Sequence, residues 1–156
     1  MPKNQKPPRA ADADKNEVRA KLRELYSARA VEHMLNPRNM RSVPQADGQA
    51  KADSGHGETV EFFLLLEGDT ITDCAFQTDG CAATLACASA ATELAAGLTL
   101  DEAPFAVTAK RILQALDGLP AGNVHCGALV AQAFRSAVAD ARDTAAEPWK
   151  KLYRKT

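Results

Sequence analysis

Two β-prone runs joined by a short turn constrain the fold of this chain more than any other feature. The runs are Thr59 to Leu66 and Thr70 to Thr78, and only Glu67-Gly68-Asp69 separates them. A turn of this kind joins antiparallel strands, so the pattern predicts a β-hairpin. A weaker strand is predicted somewhere in Arg41 to Ala52, where a proline and a glycine interrupt the apolar pattern.

The chain becomes rich in alanine after the hairpin, and its apolar residues then recur at helical spacing. Three helices are predicted, with bounds of Ala82 to Ala96, Thr99 to about Gly118, and about Val124 to Arg142. Gly97 ends the first helix, Thr99 and Glu102 have the spacing of a capping box, and Asn123 is placed to cap the third helix.

One amphipathic helix is predicted before the hairpin, from Asn16 to about Met34, because Pro37 closes the periodic segment. Residues 1–15 lack apolar periodicity and are predicted to be a disordered tail, and 143–156 a short C-terminal tail. Residues 16–142 then form one domain. Early strands and late helices predict an α+β sandwich, with helices on one face of a small antiparallel sheet of about three strands.

The bulk properties exclude several classes of partner. The 156 residues include 19 basic and 20 acidic side chains, a net charge of -1 that attracts neither nucleic acid nor an anionic membrane. No apolar run approaches the ~18 residues of a membrane span, and the N-terminus lacks the apolar region of a secretory signal. We therefore expect a cytoplasmic protein whose four cysteines are thiols.

Two of the cysteines stand at predicted helix starts, where the helix dipole stabilises a thiolate. Cys81 follows the hairpin and precedes the first alanine-rich helix, and Cys126 follows His125 at the start of the last helix. The simpler alternative is that both are small apolar residues. Cys74 and Cys87 lie among apolar or small residues and are predicted to be structural.

A glycine-rich loop before the hairpin, Ser54-Gly55-His56-Gly57-Glu58, carries an imidazole and a carboxylate. Taken alone, such a loop is most simply a solvated turn. If it meets both helix starts at one end of the sandwich, the candidate donors are His56, Glu58, Cys81, His125 and Cys126. Nitrogen and sulfur donors of this kind suit zinc or iron and not magnesium or calcium.

Over roughly residues 22 to 142 the chain resembles the U-type iron-sulfur cluster assembly scaffold family, in its NifU N-terminal or IscU-like form. The motifs that carry the resemblance follow in order: Tyr26-Ser27, Glu32-His33, Asn36-Pro37-Arg38-Asn39, Ala46-Asp47-Gly48, Gly55-His56-Gly57-Glu58-Thr59, Gly80-Cys81-Ala82-Ala83, Ala91-Thr92-Glu93-Leu94, Leu100-Asp101-Glu102-Ala103, and Leu119-Pro120 before His125-Cys126.

The resemblance implies a SufE/NifU-like sandwich that serves as a scaffold and not as an enzyme. Sulfur delivered as persulfide by a cysteine desulfurase would combine with iron into a [2Fe-2S] cluster, which then passes to acceptor proteins. The family uses three cysteines, an aspartate two residues after the first, and a histidine before the third. These positions correspond to His56, Cys81 and Cys126, to Glu58, and to His125.

The chain departs from the family pattern at the first cysteine, where His56 stands. Imidazole binds iron and zinc, and mixed Cys/His ligation of a [2Fe-2S] centre is known. Imidazole cannot accept a persulfide, so only Cys81 and Cys126 would carry sulfur. Residues 121–123 read Ala-Gly-Asn where the family has a Pro-Val-Lys stretch bound by a heat-shock chaperone, so the resemblance does not extend to that partner.

Two other classes of function remain as alternatives. One is a regulatory interaction module that keeps the fold and binds a desulfurase without assembling clusters. The other is a hydrolase with Cys126 as its nucleophile and His125 as its base. The hydrolase is disfavoured because neighbouring residues of a helix point about 100° apart and no third orienting group is evident.

Overall fold

A computed structural model describes residues 10–153 of the chain. The helices and strands are α1 (Ala10–Arg23), α2 (Ala28–Leu35), β1 (Gly48–Asp53), β2 (Thr59–Glu67), β3 (Thr70–Thr78), α3 (Ala82–Ala95), α4 (Ala103–Ala106), α5 (Ala109–Ala115) and α6 (His125–Ala146), with 3₁₀ turns at Ala121–Asn123 and Pro148–Tyr153. None of the helices within 10–153 has both the length and the apolar character that crossing a membrane would need.

The three strands form one antiparallel sheet in the order β1-β2-β3. The predicted hairpin is confirmed, and Val60 of β2 lies opposite Thr78 of β3. The weaker predicted strand is also present as β1, which pairs with the other side of β2 and places Gly48 opposite Leu64. The loop between β1 and β2 therefore lies at the same end of the sheet as the exit from β3 into α3.

The helices cover one face of the sheet, which confirms the predicted α+β sandwich. The ring of Phe62 on β2 stands edge-on to that of Phe134 on α6, with 5.7 Å between the ring centroids. A Cβ added to Gly48 would lie 2.5 Å from the carbonyl oxygen of Ala137, so β1 passes directly against α6. Burial of each large apolar side chain in this layer contributes about 1.5–3 kcal/mol to folding.

The opposite face of the sheet carries a smaller buried cluster, which consists of Val43, Ala46, Phe63 and Ala75. The segment that precedes β1 supplies two of these side chains. It also covers part of the β3 edge, because the N–H of Arg41 donates to the carbonyl oxygen of Phe76 over 2.9 Å. The polar donors that the sequence singled out lie at the end of the sandwich and not on this face.

The predicted N-terminal helix is wrong in its extent, since two helices occupy the segment. Ser27 interrupts it with extended backbone, and its hydroxyl caps α2 by accepting from the N–H of Ala30. Of the predicted tail, residues 1–9 lie outside the described part of the chain, whereas 10–15 form the beginning of α1. A side-chain cap outweighs the apolar periodicity, which continues across the break.

The predicted helix from Thr99 to about Gly118 is also two helices, α4 and α5. The capping-box hydrogen bonds between Thr99 and Glu102 are present, and Thr108 starts α5 by accepting from the N–H of Arg111. The last helix, α6, runs to Ala146 and so continues beyond its predicted end.

The predicted cap at Asn123 is wrong. This residue ends the 3₁₀ turn Ala121–Asn123, and its amide donates to the hydroxyl of Tyr26 over 3.3 Å. The contact ties the corner between α1 and α2 to the segment that enters α6.

Candidate metal centre

The loop between β1 and β2 closes on itself through Ser54. The hydroxyl oxygen of Ser54 accepts from the N–H groups of His56 and Glu58, over 3.0 and 3.3 Å. Gly55 and Gly57 have φ values of +82° and +88°, in the left-handed region that residues other than glycine rarely adopt. The glycines on both sides of His56 are therefore required by the turn.

The loop delivers Glu58 to the start of α3. Its Oε1 atom accepts from the N–H of Cys81 over 3.0 Å and from the hydroxyl of Thr84 over 3.4 Å. The Cys81 N–H is the main reason that the pKa of Glu58 lies below its usual value, and the opposing desolvation is smaller. The carboxylate is thus ionised and fixed in orientation near neutral pH.

Cys81 is the N-cap residue of α3, as the sequence predicts, and it is exposed. Its Sγ atom lies 3.5 Å from the hydroxyl oxygen of Thr84. The thiol makes no capping hydrogen bond to α3, and it interacts with the thiol of Cys126 at the start of α6.

Cys126 differs from Cys81 in its surroundings, because it is fully buried in the first turn of α6. Burial raises its pKa to about 11, whereas the hydroxyl of Thr84 acts to lower it. The expectation that both thiols have favoured thiolates at helix starts is therefore wrong for Cys126. Desolvation outweighs the helix dipole at this position.

The ring of His125 lies over the same thiol. Its Nε2 atom is 3.7 Å from the Sγ atom of Cys126, so the expectation that these neighbours point apart is wrong. A raised thiol pKa is nonetheless the opposite of what a nucleophilic cysteine needs.

Three of the five predicted donors converge. The ligand atoms of Glu58, His125 and Cys126 all lie within 4.8 Å of one another. One carboxylate, one imidazole and one thiol form a donor set that suits zinc or iron. The residues present therefore fit a thiophilic metal ion.

Cys81 adjoins this group without belonging to it. Its thiol and that of Cys126 interact, and its N–H holds the Glu58 carboxylate.

His56 is not brought into the group by the structure. It is exposed on the loop, and within residues 10–153 its ring takes part in no hydrogen bond. Its ring nitrogens do not belong to the group of ligand atoms, from Glu58, His125 and Cys126, that all lie within 4.8 Å of one another. Its role as a ligand stays a prediction.

The other two cysteines are buried in the core, Cys74 on β3 and Cys87 on α3. Burial raises the pKa of both thiols. These are the surroundings expected of packing residues.

Sequence reasoning missed Thr84, although its position three residues after the N-cap Cys81 places it on the same side of α3.

Comparison with known proteins places the chain among relatives. The family model described as "NifU-like N terminal domain" matches residues 25–147. The chain is 38% identical over 117 residues to "Iron-sulfur cluster assembly scaffold protein IscU 1" of Archaeoglobus fulgidus. The aligned region covers 74% of this chain and 76% of that protein. It is 31% identical over 118 residues to "Iron-sulfur cluster assembly scaffold protein IscU" of Aquifex aeolicus, with 74% of each protein covered.

Solved structures share the fold. A putative iron-sulfur cluster assembly scaffold protein for the SUF system from Fervidobacterium islandicum AW-1 aligns with a TM-score of 0.62 and 21% identity, over 72% of this chain and 96% of that one. The family match covers most of the chain and includes all five candidate donors. The chain therefore belongs to the family of the NifU-like N-terminal domain.

Proposed function

We propose that this protein is a scaffold on which iron and sulfur combine into a [2Fe-2S] cluster before the cluster passes to acceptor proteins. The observation that carries the proposal is the convergence of Glu58, His125 and Cys126 within 4.8 Å, with Cys81 beside them. Relatives with names that state this activity support it. Iron and sulfide are the cargo, and zinc fits the same donors as a single ion.

Cys81 and Cys126 are the proposed sulfur ligands, and His125 or Glu58 completes the set on the iron nearer to α6. Sulfur arrives at Cys81, because this thiol is exposed while that of Cys126 is buried and has a pKa of about 11. In this step the Cys81 thiolate takes the outer sulfur of a desulfurase persulfide, and the desulfurase cysteine leaves as a thiolate. An external two-electron donor then reduces the transferred sulfur to the sulfide of the cluster and releases the Cys81 thiolate.

His56 is proposed as the remaining ligand. It would need the loop to move, and the glycines on both sides give the loop that freedom. The proposed partners are a cysteine desulfurase and iron-sulfur acceptor proteins, and the proposed location is the cytoplasm.

The test is anaerobic reconstitution of the full chain with ferrous iron and sulfide. Charge-transfer absorbance and acid-labile sulfide are expected in the wild-type protein and are lost in Cys81→Ala and in Cys126→Ala. Cys74→Ala, which removes a buried thiol of β3, is the matched control and keeps both signals. A colourless, metal-free wild-type product would overturn the proposal.

The same reconstitution decides the role of His56. His56→Ala is expected to remove the charge-transfer bands or shift them, because a ring nitrogen on iron contributes to the spectrum. A spectrum identical to that of the wild-type protein would remove His56 from the ligand set and leave the scaffold proposal intact.

A further inference from the structure

Thr84 is a fully buried hydroxyl at the centre of the donor group. It lies in the first turn of α3, and its Oγ1 atom is 3.4 Å from Oε1 of Glu58 and 3.5 Å from Sγ of Cys81. The thiol of Cys126 interacts with the same hydroxyl. A single side chain therefore contacts the loop, the start of α3 and the start of α6.

The direction of this hydroxyl is set by packing. A Cβ added to Gly80 would lie 2.9 Å from both Cβ and the methyl carbon of Thr84, so that the threonine packs directly against the glycine backbone. Threonine is branched at Cβ and has few χ1 choices. With the Cβ and methyl group held against Gly80, the hydroxyl is directed to the donors.

Hydrogen-bond accounting shows what the hydroxyl does there. A threonine has one O–H to donate, and a carboxylate is a stronger acceptor than a thiol. The Thr84 O–H donates to Oε1 of Glu58, which also accepts the Cys81 N–H. The Cys81 N–H and the Thr84 O–H use the same oxygen, and the Cys81 thiol also interacts with the carboxylate.

We propose that Thr84 is a positioning residue that holds Oε1 of Glu58 so that Oε2 is presented to a divalent metal ion bound by His125 and Cys126. The inference rests on the proposed function, because it concerns the same donors. Partners of metal ligands typically contribute 10–100-fold to metal affinity. Loss of the hydroxyl should therefore weaken zinc binding by about that factor.

The test is zinc competition against a chelating indicator, with the full chain at fixed pH. Thr84→Val removes the hydroxyl and keeps the shape, and it is expected to bind zinc about 10–100-fold more weakly. Thr84→Ser keeps the hydroxyl and should restore affinity to within a few-fold. Thr92→Val is the matched control and should bind zinc normally, because Thr92 is an equally buried threonine of α3 whose hydroxyl donates to the carbonyl of Ser89.

A double-mutant cycle with Glu58→Gln separates positioning from structural damage. If Thr84 acts through the carboxylate, Thr84→Val should have little further effect once Glu58 is changed, and the cobalt absorption spectra of the two single variants should resemble each other. An equal loss in both backgrounds would overturn the inference. Thr84→Ala replaces the valine variant if that one proves unstable.

The two proposals fail in different ways. Equal zinc affinity of the wild-type protein and Thr84→Val would overturn the positioning role and leave the scaffold proposal standing. Absence of zinc and cobalt binding by the wild-type protein would also overturn the positioning role, whereas the scaffold proposal fails only if reconstitution with iron and sulfide gives a colourless, metal-free product.

Discussion

Removal of the buried thiol at Cys126 should change how metal affinity depends on pH. Burial disfavours the thiolate and raises the pKa of this thiol to about 11. A metal ion binds the thiolate and must displace this proton. The affinity that Cys126 contributes therefore rises with pH for as long as the pH remains below the pKa.

The size of the effect follows from that pKa. Because pH 7 is about four units below the pKa of the thiol, deprotonation of Cys126 costs about 5 kcal/mol of the binding free energy, at about 1.36 kcal/mol per unit. Between pH 7 and 9.5, the ratio of wild-type to Cys126→Ala zinc affinity should rise about 300-fold. A thiol with the ordinary pKa of about 8.5 would give only about 30-fold and level off above pH 8.5.

The assay is zinc competition at half-unit pH steps with both proteins in the same buffers, so that zinc hydrolysis cancels in the ratio. Cys74→Ala serves as the control, since its thiol is buried on β3 and its affinity should follow that of the wild-type protein. A ratio that levels off near pH 8.5 would refute the argument from burial. A ratio independent of pH would show that Cys126 is not a ligand.

Three further predictions concern folding stability and are measured by urea denaturation. Gly48→Ala should lower the free energy of unfolding by about 1–3 kcal/mol, because the new methyl group meets the Ala137 carbonyl at 2.5 Å; an unchanged midpoint would contradict the close packing of β1 on α6. Burial lowers the pKa of His33, so its contribution is complete above about pH 6.5 and is lost as the pH falls through the folded-state value; His33→Gln should lose less stability between pH 7 and 5 than the wild-type protein, and equal losses would count against it. The Cys81 N–H lowers the pKa of Glu58, so its contribution is present above about pH 4.3 and is lost on further acidification; Glu58→Gln should remove that part of the acid dependence, and an unaltered acid profile would argue against the hydrogen bond.

The parts of the fold that the sequence predicts well are those set by local chemistry. The hairpin follows from two β-prone runs and a short turn, and α3 ends before Gly97, whose φ of +82° suits a glycine. The breaks at Ser27 and Thr108 were missed because the apolar period continues through both, although each residue caps the next helix with its hydroxyl. A hydroxyl in a periodic segment does not reveal from sequence alone whether it caps or faces solvent.

The site divides in the same way. The types of donor and their placement at helix starts follow from the sequence, and Glu58, His125 and Cys126 do meet. The burial of Cys126 was not predictable, since it depends on how α6 packs against α3 and α5. A residue between two left-handed glycines has no neighbour that directs its ring, so the exposed position of His56 was not predictable either.

The hydrogen bond between Glu58 and the Cys81 N–H joins residues that are 23 positions apart in the chain. Hydrogen bonds hold the loop against the start of α3 at this end of the sandwich, whereas a bound metal ion would link the loop to the start of α6 by coordinate bonds. Bound metal would therefore stabilise this end of the fold, and its release would remove that stabilisation. Amide hydrogen exchange in the loop and at the two helix starts should slow when the metal or cluster binds and become faster when it is transferred. The rate of local opening would then report the fraction of scaffold that carries cargo.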